Sequence, residues 1–153
     1  MTRAKIFASV VPDALVIFLV AVTLNYLWEV AQAPLFLGMT SWSNIGWHCF
    51  VASLGDGVLI WILHAIGCAM FRRVDWYCYP TIRVYSMMLF TGLLIGLGVE
   101  WIAINVLHRW AYSTTMPLIP GLEVGFIPVI QMLVLPPLIF LFVSRWKTRK
   151  RDD

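Results

Sequence analysis

Four long apolar runs, at about 12–33, 48–70, 84–107 and 126–146, alternate along this chain with short polar or mixed segments. A helix that crosses the hydrocarbon core of a bilayer needs about 20 mostly apolar residues, so each run predicts one spanning helix. Within the runs the apolar residues come in blocks rather than at the spacing of a half-exposed soluble helix. Attention therefore falls on the few polar positions inside them. In the first run Asn25, Glu29 and Gln32 recur at i, i+4, i+7 and share one face. The second opens at His48-Cys49 and carries Ser53, Asp56 and His64, with Ser53 and Gly57 four apart as small residues that allow close helix contact. Gly55-Asp56-Gly57 has an alternative reading as a turn that interrupts the helix. The third run sets Gly92, Gly96 and Glu100 on one face by i+4 steps. The fourth holds Gln131 and then Pro136-Pro137, whose missing amide donors free carbonyls around Met132 and Leu133 and predict a kink.

Between the runs, Pro34 stops the first helix. Trp42 and Trp47 read as an interfacial aromatic belt. The second connection, with Trp76, Tyr77 and Tyr79 among arginines, reads as an interfacial anchor with no further task. The third connection contains His108, Arg109, Trp110 and Tyr112, then Pro117, Pro120 and Gly121, which rule out a continued helix. It is the natural candidate for a lid.

Composition agrees with this pattern: 61% of positions are hydrophobic and only 12% charged, too apolar for an ordinary soluble domain. The predicted fold class is all-α, a polytopic four-transmembrane-helix bundle forming a single integral membrane domain over 1–153. Charge placement sets its expected orientation. Arg3 and Lys5 precede the first run, Arg72, Arg73 and Arg83 occupy the second connection, and a basic tail, 145–153, ends the chain. The first connection has no Lys or Arg, and the third has only Arg109. The positive-inside rule then puts both termini in the cytoplasm, with a bacterial inner (plasma) membrane as the expected location. Cations flanking a helix end are a stop-transfer and headgroup signature, so no nucleic-acid partner is expected. Ala31-Gln32-Ala33 resembles a signal-peptidase site, but Trp28, Glu29 and Pro34 around it favour a retained helix. Cys49, Cys68 and Cys78 form no CxxC pair and read as packing residues.

Helical rise of about 1.5 Å per residue, counted from the outer ends of the spans, places Glu29 roughly 6 Å deep, Asp56 and Glu100 roughly 10 Å, and Gln131 roughly 8 Å. Four polar side chains from four helices are thus expected in one layer, with Asn25 and Gln32 a turn to either side and His48, His108 and Arg109 at the rim. An Asp at the centre of a span costs about 2.5–3.5 kcal/mol to insert, while an interhelical hydrogen bond in a membrane returns about 0.6 kcal/mol. Carboxyls are a poor choice of glue by that comparison, which favours a functional site. Three of them crowded in low dielectric cannot all carry charge, so a proton, Arg109 or a bound cation is expected to neutralise one.

The candidate catalytic residues are Glu29, Asp56 and Glu100, and the candidate ligand-binding residues are Asn25, Gln32, His48, His108, Arg109, Trp110, Tyr112 and Gln131. A neutral carboxylic acid beside an ionised one can protonate an alkene or ether and remove a proton elsewhere, with aromatic faces sheltering the cation. The expected function is acid–base chemistry of an isomerase, cyclase or hydratase kind on an apolar lipid or isoprenoid. The alternative is a non-enzymatic accessory subunit, or a component that binds a lipid, quinone or pigment, with partner membrane subunits or a homo-oligomer. No cofactor is expected, with a divalent metal held by the carboxylates as the alternative: there is no Glu-x-x-His pair, no haem ligand pair at one buried level, and no phosphate loop or nucleophile elbow.

Overall fold

A computed structural model describes the backbone of residues 3–39 and 41–152 and the side chains of 13–39 and 41–150. The side chains of Arg3, Lys5 and Arg151, which enter the charge argument, lie outside the described residues. Helix α1 (Arg3–Gln32) runs into a 3-10 turn at Ala33–Leu35, because Pro34 fits the start of a new turn but not the continuation of the old one. Helix α2 (Trp42–Phe71) follows, then a 3-10 turn at Trp76–Cys78, helix α3 (Ile82–Asn105), a two-stranded hairpin of β1 (Leu118–Ile119) and β2 (Val124–Gly125), and helix α4 (Phe126–Asp152). All four helices are long and apolar enough to cross a membrane. The protein is an all-α four-helix bundle of the integral membrane class, with one small hairpin added in its third connection.

The second helix begins at Trp42 rather than near His48, because Ser41 caps it by accepting the Asn44 amide at 3.4 Å. Trp42 and Trp47, expected in an irregular connection, are exposed residues of its first turns. Gly55-Asp56-Gly57 is helical throughout, so the turn reading is not realised. Thr81 caps α3 by accepting the Val84 amide at 3.3 Å. The last helix continues through Pro136 and Pro137 and carries the basic tail as helix.

Helices α1 and α2 form one antiparallel hairpin, α3 and α4 a second, and α1 lies against α4 to join them. The seam between α2 and α3 is the sparsest side of the bundle. On the other sides small residues set the spacing. A Cβ on Gly92 would lie 2.1 Å from the Met132 carbonyl oxygen, and one on Gly96 would lie 3.2 Å from the Met132 Cβ. The Met132 backbone oxygen is one of the acceptors that Pro136 leaves without an amide, and the bare Cα of Gly92 is what covers it. Gly57 receives the Phe18 ring of α1 in the same way.

The end of the bundle that bears the termini is filled with aromatic rings. Trp76 and Tyr77 are 1% and 4% exposed, so the second connection turns into the bundle instead of lying on an interface. The Trp76 indole occupies the space where a Gly67 side chain would be, and its Nε1 donates to the His64 carbonyl at 3.2 Å. His64 stacks on Phe140, and Lys147 of α4 pairs with Asp13 of α1. That ion pair ties together the helix ends nearest the two termini, which share one side of the bundle. The opposite side is called the distal end below.

Candidate functional site

Polar side chains inside a membrane bundle need partners, because neither lipid nor packed apolar side chains supply hydrogen bonds. Near the distal end they find one another around Gln131 of α4, which is 2% exposed. Its Nε2 donates to Asn25 Oδ1 at 2.8 Å and to Asp56 Oδ2 at 3.0 Å, and its Oε1 accepts from Gln32 Nε2 at 3.0 Å. Gln32 Nε2 also donates to Glu29 Oε1 at 2.8 Å, and Gln32 Oε1 accepts from Trp28 Nε1 at 3.2 Å. Asn25, wholly buried, spends its own amide on the Ala21 carbonyl at 2.8 Å. One amide thus links α1, α2 and α4, and it holds Asp56 directly and Glu29 through Gln32.

Glu100 belongs to a second network. Tyr112 donates its hydroxyl to Glu100 Oε2, Trp110 Nε1 donates to the same oxygen at 3.4 Å, and the Gly125 amide donates to the Tyr112 oxygen at 2.7 Å. Burial first, and then the hydrogen bond to Glu100, push the Tyr112 hydroxyl above its ordinary range, so it remains a donor. The carboxyls are therefore held in two half-sites by their hydrogen bonds: Glu29 with Asp56 on the α1–α2 side, and Glu100 on α3 braced from the third connection.

That connection is fastened down. The Leu37 amide donates to the Ala111 carbonyl and the Ser113 amide to the Leu35 carbonyl, both at 2.9 Å, around a bridge between Phe36 and Tyr112. Such a seam between the first and third connections makes the segment a cap over Glu100 rather than the loose lid its prolines and glycine imply.

The half-sites face each other across a cavity of about 590 Å³. Glu29, Gln32, Asp56, Glu100 and Gln131 form its polar part, His48, Arg109 and Trp110 stand toward its distal mouth, and apolar side chains of α2 and α3 make the rest of the wall. Three of the sequence candidates are not in that wall. Asn25 lies behind Gln131, Tyr112 stands behind Glu100, and His108 is an exposed residue at the end of α3 with φ of 48°. Arg109 does not act as the expected counter-ion: among the described residues the ion pairs are Arg73–Asp75 and Lys147–Asp13, neither of which touches the site. Also among the described residues, no three His, Cys, Asp or Glu side chains converge as a metal ion would require.

What sequence reasoning missed is the apolar part of the wall, including Ala52, Gly55, Leu59 and Val99. In a spanning helix these residues look like any others, and only the gap between α2 and α3 distinguishes them. No family profile matches the chain, and no curated protein or solved structure shows significant similarity to it.

Proposed function

We propose that this small integral membrane protein takes an apolar, lipid-like molecule into the distal cavity and performs acid–base chemistry on it, of the isomerase, cyclase or hydratase kind, with both termini in the cytoplasm of a bacterial inner membrane. The observation that carries the reading is one cavity of about 590 Å³, the size of an ordinary small-molecule site, lined by three carboxyl groups and by apolar side chains of spanning helices. The two half-sites support a division of roles. Glu29 and Asp56, joined through Gln32 and Gln131, serve in this reading as the acid pair. Glu100 accepts two hydrogen bonds, from Tyr112 and Trp110, which orient its carboxyl for the role of base or cation stabiliser. In an isomerisation the acid pair gives its proton to one alkene carbon, whose π electrons form the new C–H bond, and Glu100 takes a proton from a neighbouring carbon, so that a C=C bond re-forms. Net composition is unchanged.

The same cavity supports a runner-up reading, a non-enzymatic subunit or carrier that holds a lipid, quinone or pigment, because the carboxyls are held firmly by Gln32, Gln131 and Tyr112. Mass spectrometry of the protein purified in mild detergent tests both, by identifying a retained small molecule or a stoichiometric partner subunit. Glu100→Gln is expected to abolish conversion of the retained molecule while membrane insertion and thermal melting stay near wild type. Unchanged conversion, or a collapse of folding in that variant, would sink the catalytic role.

A further inference from the structure

The polar wall of the cavity has an uneven supply of hydrogen-bonding groups. Both hydrogens of Gln131 Nε2 are spent, on Asn25 and Asp56, and both of Gln32 Nε2 are spent, on Glu29 and Gln131. What these groups leave facing the space are carboxyl oxygens, which carry more lone pairs than their present partners use. The cation among the cavity residues, Arg109, is exposed near the mouth and pairs with none of the three carboxyls.

The shape of the cavity is equally one-sided. Helices α1 and α4 pack closely along its one side, while α2 and α3, which carry Asp56 and Glu100, meet along the sparsest side of the bundle. Val51 on α2 and Val99 and Ile102 on α3 line it and are themselves 43%, 37% and 47% exposed, so the wall is not closed over by neighbouring side chains. Gly55, also in the wall, stands one residue before Asp56, and a Cβ built on it meets nothing within 4 Å. A helical glycine lowers helix stability by about 1 kcal/mol relative to Ala without a packing reason, and here no neighbour requires its small size. The open space beside it is the cavity.

We infer that the ligand enters sideways from the bilayer through the seam between α2 and α3, that it is a long-chain amphiphile with a hydrogen-bond-donating, non-anionic head (an alcohol or an amine), and that Gly55 keeps the passage wide enough for its chain. The head lies among Glu29, Asp56 and Glu100, which accept its protons. The chain leaves between Gly55 and Val99 into the lipid. Anionic heads are excluded because they would meet three carboxyls with no buried cation to offset them. This inference rests on the reading of the cavity as a ligand site.

The test uses three probes that share a chain and differ only in the head: hexadecanol, hexadecylamine and hexadecanoic acid, each added to the full-length protein in mild detergent and read by native mass spectrometry. Hexadecanol and hexadecylamine are expected to be retained at one per chain, and hexadecanoic acid about tenfold or more weakly, in line with the penalty for juxtaposed like charges. Gly55→Phe, whose Cβ meets no neighbour within 4 Å, puts a ring into the cavity wall and is expected to lower retention at least about tenfold. The control is Gly98→Phe, which is equally free of neighbours but lies off the cavity wall, and which leaves retention unchanged. Equal retention of all three probes overturns the head assignment while leaving the cavity a ligand site. Unchanged retention in a folded Gly55→Phe overturns the lateral passage. Retention of none of the probes by the wild-type protein overturns the ligand-site reading itself. Head selectivity is measured on the unaltered protein, so it decides the question even if Gly55→Phe fails to fold.

Discussion

Tyr112 shows how one side chain can serve the site from outside the cavity. Its hydroxyl receives the Gly125 amide and passes a hydrogen bond to Glu100, so its ring and hydroxyl fix the direction of the carboxyl. A donor in this position must stay protonated. Its folded-state pKa lies above the value of about 10 expected in the unfolded chain, because burial and the Glu100 contact both favour the neutral form. Above that pH the unfolded state loses the proton first and binds fewer protons than the folded state. Stability from Tyr112 is therefore complete below about pH 10 and falls as pH rises beyond it. Tyr112→Phe is expected to be less stable than wild type at pH 8, by about 1–3 kcal/mol for the carboxyl left without its donor, and to lose less stability between pH 9 and 11. Thermal melts of the two proteins across that range check both parts. A parallel pH dependence in the variant would show that Tyr112 contributes none of it.

Among the elements, the contact of α3 with α4 illustrates how a glycine and a proline answer each other. Pro136 removes the amide that would bond the Met132 carbonyl, and Gly92 lets α3 come close enough to cover that oxygen. Gly92→Ala would place a methyl group 2.1 Å from backbone that cannot move aside as a side chain can. The substitution is expected to destabilise the protein by about 1–3 kcal/mol through overpacking. By contrast Gly98→Ala, with open space around it, is expected to be neutral or to stabilise by about 0.5–1 kcal/mol through helix propensity. Melting temperatures in one detergent distinguish the two, and equal effects would remove the case for a tight α3–α4 seam. The same closeness brings Gly96 and Glu100 to the cavity edge, so this packing contact also positions the site.

For the molecule as a whole, the Lys147–Asp13 pair puts the helix ends near both termini on one side, and the caps over Glu100 lie on the other. In the proposed orientation, which rests on charge placement, the first side faces the cytoplasm. In a background without Cys49, Cys68 and Cys78, a cysteine at Thr114 is expected to react with a membrane-impermeant maleimide in intact cells, and one at Thr148 only after the membrane is opened. The reverse pattern would invert the proposed orientation and put the mouth of the cavity on the cytoplasmic face.

Run length and hydropathy by themselves determine four spanning helices, because a bilayer imposes a minimum length and leaves backbone no partner but itself. They also lead to the expectation of Glu29, Asp56, Glu100 and Gln131 at comparable levels, since helical rise is constant along each span, and all four line one cavity. Rotation about the helix axes is a different matter, being decided by which side chains interlock between spans. Tertiary structure alone made Gln131 the hub, gave Glu100 to Tyr112 rather than to Arg109, and turned Trp76 and Tyr77 inward from a connection whose composition resembles a membrane anchor. The seam between α2 and α3 belongs to the same class. Apolar residues that face lipid and those that face a cavity carry the same sequence signal, and only the packing of the four helices separates one from the other.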